Sequence, residues 1–364
     1  MNIEYTPKSD FEKEVRDFCD NSFSGIGNFH IHGDRAYTRR DKYYAHHGVS
    51  VDDIARRTLP EKQRLTWVLH KGPGFTSECI EERMRRLLEE SIRFGVRKMY
   101  TTIDATHNTE FKSLEIAEKL KVEYKGRIDL FIGAYNPSGF KDSDPRRYEI
   151  FEEAARRSDF IVGLAEKDRK DGHIGERQHN WYVLQLGYRL GKPMQFHVGQ
   201  ENRPGDMTTE TLLSDLEFLQ DIDLRVSPER FPQIDMVHVI SSSAKPYDEF
   251  LNTARRMAER GVGIVCCPRA ASSMLQDFSI NAPIHNSIAR IWDFAVNGVN
   301  IRGFGVDNLD DIYVPASSPD VYDDLEDAAN LLRFYNQRIL AKILCGEPLD
   351  PFDVGTIQRD LFSK

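Results

Sequence analysis

The stretch NFHIHGD, residues 28 to 34, places two imidazoles one residue apart behind an apolar run that begins at Gly25. On an extended strand, alternate residues share a face, so His30 and His32 could grip one ion or simply form a buried structural pair. Three further residues bear on the choice. His197 in PMQFHVG, His238 in IDMVHVI and Asp307 in GFGVDN each fall at the end of a short apolar run. If those runs are strands of one barrel, all five side chains meet at the face formed by the strand C-termini. Three imidazoles and one carboxylate then suit a divalent ion, zinc or ferrous iron, with one position left open to water. Water on such an ion is acidic enough to attack at neutral pH.

The elements that must position these residues recur with a clear rhythm. Eight runs rich in β-branched and aromatic residues fall at 25 to 32, 97 to 104, 128 to 135, 159 to 166, 193 to 199, 234 to 240, 262 to 268 and 301 to 307. Between them lie helix-length stretches with apolar residues every three or four positions, several stopped by glycine, as in EERMRRLLEESIRFG and YDEFLNTARRMAERG. A final helix is expected over 320 to 344. Eight strand-then-helix units predict an α/β fold, a (β/α)8 TIM barrel over 25 to 364, preceded by an N-terminal helical extension over 1 to 24. An open doubly wound sheet is the competitor, but no glycine-rich phosphate loop follows the first strand. Residues 33 to 78 break the rhythm as a long β1–α1 loop, expected to fold into a lid over the barrel mouth. Its Tyr37, Tyr43, Tyr44 and Trp67 would either wall that mouth or form the loop's own small core.

A net charge of -9 argues against a nucleic-acid surface and for a small-molecule partner. No run of about 18 apolar residues is present, so no membrane span is expected. The five cysteines are an odd number without framework spacing, which fits free thiols and a cytoplasmic protein. Adjacent Cys266 and Cys267 would face opposite ways on a strand and make no zinc site together. His46, His47, His70, His107, His173, His179 and His285 sit in polar surroundings and are read as structural, with His285 starting a helix. Ser272 and Ser273 in PRAASSM would either meet a ligand or serve close packing.

From His30 to about Pro315 the chain resembles the amidohydrolase superfamily, and within it the cytosine and adenosine deaminase branch. The resemblance rests on the ordered set His30, His32, His197, His238 and Asp307, with CCPRAASSMLQDF and GVDNLDDIYVP as further similarity. It implies a metal-dependent hydrolase acting on a C–N bond of a small, nitrogen-rich or cyclic molecule. His30, His32, His197 and Asp307 would hold one zinc or Fe(II) ion, and His238 would touch the attacking water or the substrate. Asp307 would also move the proton. A second ion held through Lys167 or Glu166 at the end of strand four is the two-metal alternative. No full β-sandwich side domain is expected, because 29 residues precede His30 and 57 follow Asp307.

Three departures from that branch bear on the substrate. Gln200 stands where a proton-shuttling glutamate belongs, and an amide cannot give and recover a proton as a carboxyl group does. Glu201 replaces it only if the loop turns it inward. Asn308 stands where cytosine deaminases have a second aspartate, and YNPSG, 135 to 139, lacks the glutamine that reads cytosine. The expected catalytic groups are therefore Asp307, His238 and Glu201, and the expected substrate contacts Gln200, Asn308, Arg35, Glu166 and Lys167. The alternative is a catalytically lapsed barrel that keeps the metal and binds a small ligand without turnover. Subunit number stays open, homo-oligomer included.

Overall fold

Eight parallel strands, hydrogen-bonded in sequence order, form a single sheet in the computed structural model. The structure describes residues 5 to 363 except 56, 222 to 226, 228, 229 and 274 to 287. The strands are β1 (Ile26–His32), β2 (Val96–Asp104), β3 (Asp129–Tyr135), β4 (Phe160–Gly163), β5 (Met194–Val198), β6 (Ile234–His238), β7 (Gly263–Cys266) and β8 (Asn300–Phe304). Most of their residues are buried on both faces, as expected for a parallel sheet wrapped in helices, which is why they read as continuous apolar runs. Closure comes from main-chain bonds beyond the end of β8. Asp307 N–H donates to His30 O at 2.9 Å and His32 N–H to Asp307 O at 2.7 Å, so the chain after β8 pairs with β1. The expected (β/α)8 TIM barrel is what forms.

Two expectations need correction. The expected final helix is two, Tyr322–Leu332 and Gln337–Cys345. Arg333 breaks the run in the left-handed region, and the Asn336 side chain caps the second helix by accepting from Ile339 N–H. Strand four also stops earlier than read, because Ala165–Lys170 coils into a short helix that carries Glu166 and Lys167 away from the strand line.

The N-terminal helix Asp10–Ser22, capped by Ser9, packs on Gln337–Cys345, with Arg16 bonded to Phe94 O and Asp320. Residues 33 to 75 form seven short helical turns across the C-terminal face of the barrel. They are tied down by Arg83, which donates to Asp34 O, Ala36 O and Gly74 O, and by the Thr66 hydroxyl on Tyr313 Oη at 2.7 Å. Tyr43 and Tyr44 are buried in this segment's own packing and Trp67 is exposed, so the aromatics build the lid rather than wall the chamber. Among the described residues no helix is long and apolar enough to cross a membrane, and all five cysteines are free.

Candidate metal centre

The register of β1 decides the first half of the site. His30 and His32 share the inward face, and the two backbone bonds to Asp307 bring that carboxylate beside them. Asp307 Oδ1 lies 3.5 Å from His30 Nε2 and 3.3 Å from His32 Nε2. His197, at the end of β5, completes the set: one ligand atom from each of His30, His32, His197 and Asp307 falls within 4.8 Å of the others, and all four residues are buried. His238, last residue of β6, stands over them with Nε2 4.0 Å from Asp307 Oδ2. Asp307 and His238 have φ of 61° and 79°, and Val239 has 52°. Left-handed backbone at a β-branched valine and two aspartate and histidine neighbours of the centre is strain of the kind held at functional sites.

Hydrogen bonds behind the imidazoles orient them as ligands. Gln195, two residues before His197, donates its amide to Phe29 O at 2.9 Å, so its Oε1 accepts from His30 Nδ1–H at 2.9 Å. His197 Nδ1–H points at Gly163 O, 3.4 Å away. Both Nε2 atoms are therefore bare lone pairs, and they face each other at 3.0 Å. Two acceptors so close repel unless a cation sits between them. His32 Nδ1 lies 2.6 Å from the Thr102 hydroxyl, and the Arg35 guanidinium, which can only donate, meets the same nitrogen. Tetrahedral zinc with bonds of about 2.0–2.1 Å separates its ligand atoms by about 3.3 Å, which matches the two contacts to Asp307. The donor set fits a divalent ion such as zinc or ferrous iron.

Protonation agrees with ligation. Burial first, then the neighbouring Arg35 charge, pushes His32 down to about 3. Burial takes His238 down to about 4 and His197 well below the usual imidazole range. At Asp307 burial opposes the charge, but His30, His32 and His238 outweigh it and hold the carboxyl well below its ordinary value. At pH 7 His32, His197 and His238 are thus neutral and Asp307 is a carboxylate.

Above the centre opens a small chamber, a cavity of about 40 Å³. Of the expected substrate contacts, Gln200, Asn308 and Arg35 line it together with His32, His197, His238 and Asp307. Glu166 lies behind Gln200, accepting from its amide at 3.2 Å and from Gln63 at 3.4 Å, and burial raises its pKa. The others are turned elsewhere. Lys167 pairs with Asp171 at 2.8 Å and faces a neighbouring cleft. Glu201 is held by Lys170 at 2.7 Å and by Arg203, outside the chamber lining. Among the described residues the four-ligand group does not include Glu166.

The histidines read as structural behave so: His70 bonds Asp104 at 2.8 Å, His107 bonds Asp144, and His173 and His179 both bond Asp168. His285 lies outside the described residues. Ser272 and Ser273 bond their own helix and do not reach the chamber. Sequence reasoning missed Lys62, Gln63, Thr66, Tyr135 and Tyr313, all lining the chamber, and Gln195 beneath it. Gln195 had a signal, a polar residue at the same-face position before a ligand on an apolar strand, and Tyr135 ends β3 at the active face. The lid residues had none.

No family model matches this chain, and no curated protein matches it by sequence. Among solved structures it is similar to 5-methylcytosine deaminase from Klebsiella pneumoniae, liganded with phosphonocytosine, at 18% identity and TM-score 0.70 over 93% of this chain and 83% of that one. N-isopropylammelide isopropylaminohydrolase from Burkholderia multivorans matches at 17% identity and TM-score 0.65, over 88% and 72% of the two chains. An amidohydrolase from Burkholderia ambifaria with bound zinc matches at 12% identity and TM-score 0.56, over 98% and 93%. At these identities the likeness is one of fold alone, the eight-stranded barrel.

Proposed function

We propose that this protein is a metal-dependent hydrolase of a C–N bond in a small nitrogen-containing, cyclic molecule, of deaminase or amidohydrolase type. The observation that carries the reading is the buried convergence of His30, His32, His197 and Asp307 beneath a chamber, with two bare imidazole nitrogens 3.0 Å apart. A divalent ion held by these four, zinc or Fe(II), supplies the Lewis acidity that makes water a nucleophile at neutral pH. The donor set supports one ion; Lys167, engaged with Asp171, leaves a second ion without its bridging lysine.

Asp307 stays ionised at neutral pH, and with Oδ1 facing the ion site its other oxygen would take the proton of the attacking water and return it to the leaving nitrogen. His238 is neutral with an unpartnered Nδ1, and steadies the oxygen that adds to the substrate. Gln200, itself oriented by Glu166, and Asn308 hold the substrate by amide hydrogen bonds. Glu201, engaged with Lys170 and Arg203, is given no part in proton transfer.

The test is hydrolysis of a panel of amides, lactams and amino-heterocycles, followed by ammonia release or loss of substrate. Turnover should stop with chelator, return with zinc or Fe(II), fall at least 10²-fold in Asp307→Asn and persist in Gln200→Glu. Full activity without Asp307 would overturn the proposal. A second reading, a binder without turnover, is favoured by one observation: among the described residues lining the chamber, Asp307 is the only carboxylate. Tight ligand binding with no product across the panel would decide for it.

A further inference from the structure

The chamber is electrostatically lopsided. Against Asp307, which faces the ion site, its lining residues include two cations, Arg35 and Lys62. Lys62 lies on the lid helix Leu59–Gln63 and is 3% exposed. Its Nζ has one hydrogen-bond partner, Tyr313 O at 3.4 Å, and among the described residues no carboxylate oxygen lies within salt-bridge distance of it. The charge acting on it is Asp311, beyond salt-bridge distance of Nζ, whose Oδ1 takes the backbone N–H groups of Tyr313 and Val314 and whose Oδ2 has no hydrogen-bond partner. An ammonium has three donors, so two remain unused. A buried charge without a partner is costly, and an opposite charge brought by a ligand relieves that cost.

Arg35 is the second cation. Its Nε forms an ion pair with Asp104 Oδ2 at 3.4 Å, an oxygen shared with His70, and makes no hydrogen bond. The guanidinium lies over the rings of Tyr135 and Tyr313 at 5.7 and 5.4 Å, which fixes its plane. Gln63, Thr66 and Pro137 line both this chamber and the neighbouring cleft, so the two adjoin. In that cleft Lys167 and Arg147 are paired with Asp171 and Asp144, but Arg64 and Lys141 have no salt-bridge partner among the described residues. A cationic approach to the chamber stands out on a chain of net charge -9, and such a field raises the encounter rate of anions.

Resting on the hydrolase reading and narrowing its substrate class, we infer that the molecule taken by this site carries a carboxylate, seated on Lys62 and Arg35 while its nitrogen-bearing part reaches Asp307 and His238. A carboxylate suits the two unused ammonium donors and one free guanidinium N–H; a phosphate dianion calls for more donors than these.

Calorimetric binding of pyrimidine-5-carboxylate and its neutral isostere pyrimidine-5-carboxamide tests this, on zinc-loaded and on chelator-treated protein. The metal-free arm removes any direct carboxylate–zinc bond and any hydrolysis. The carboxylate should bind at least about tenfold tighter than the carboxamide in both arms, an advantage worth about 1.4 kcal/mol. The preference should largely vanish in Lys62→Met and Lys62→Gln and survive in Lys62→Arg. Equal affinities in the wild type, a preference untouched by both neutral variants, or tighter binding of inorganic phosphate than of the carboxylate would overturn it. A Lys62-dependent preference in a protein that hydrolyses nothing would leave the carboxylate seat standing and remove the hydrolase reading. Metal-dependent turnover with no such preference would do the reverse.

Discussion

Replacing Gln195 with leucine removes both ends of the clamp behind His30 at nearly constant volume. The side chain is 5% exposed, and it links His30 Nδ1–H to Phe29 O through two bonds of 2.9 Å. With leucine, a buried donor and a buried acceptor lose their partners. Each unsatisfied group costs about 1–3 kcal/mol, so the metal-free protein should lose roughly 2–4 kcal/mol after partial relaxation. The larger consequence concerns the tautomer. Without an acceptor at Nδ1 the proton can move to Nε2, the atom that must coordinate, and loss of such a support weakens metal binding about 10–100-fold, or about 1.4–2.7 kcal/mol. Urea denaturation of the metal-free protein reads the first quantity, and competition for zinc with a chromophoric chelator reads the second. Gln195→Glu separates them, since a carboxylate still accepts from His30 Nδ1–H but cannot donate to Phe29 O. It should lose stability and keep zinc. Wild-type zinc affinity in Gln195→Leu, or equal weakening in both variants, would refute the argument.

Three further outcomes are expected. Glu201→Gln should change kcat by less than about tenfold, well below the 10²–10⁴ that a general acid or base contributes at the upper end, because Lys170 and Arg203 hold that carboxylate away from the chamber; a larger loss in steady-state assays would restore it as the acid. Metal-free protein should lose stability as pH falls below about 6.5, because His32 and His238 titrate near 3 and 4 when folded but near 6.5 when unfolded, so the unfolded chain binds the extra protons. That contribution is whole above 6.5, and at pH 5 each histidine has lost about 2 kcal/mol; the stability lost between pH 7 and 5, read from denaturation curves, should be smaller in His238→Asn than in wild type by about that amount. Gly305→Ala should destabilise by about 1–3 kcal/mol and weaken zinc binding in the same chelator competition, since a Cβ there meets His30 O at 2.8 Å and His30 Cβ at 2.9 Å, and the ligand strand must move.

The sequence by itself determined the barrel and which residues gather at one end of it. Alternating apolar runs and amphipathic stretches set eight strand–helix units, and the convention that catalytic groups sit at strand C-termini placed His30, His32, His197, His238 and Asp307 together. Both signals are local: side-chain direction along a strand has period two, so a residue's face follows from its place in the run. The break at Arg333 was not legible, because apolar periodicity continues across it while a single left-handed residue ends the helix. Orientation in the loops was decided only by the tertiary structure. Whether Glu201 turns inward depends on Lys170 and Arg203, and Lys62 enters the chamber because the lid is fastened by contacts such as Thr66 to Tyr313, 247 residues apart. No periodicity carries that information, since loop side chains take the direction that distant charges and hydroxyls impose once the barrel has brought them near. The pairing that joins Asp307 to His30 and His32 is of the same kind: the donor types were readable one by one, but their separations exist only because the two ends of the barrel meet.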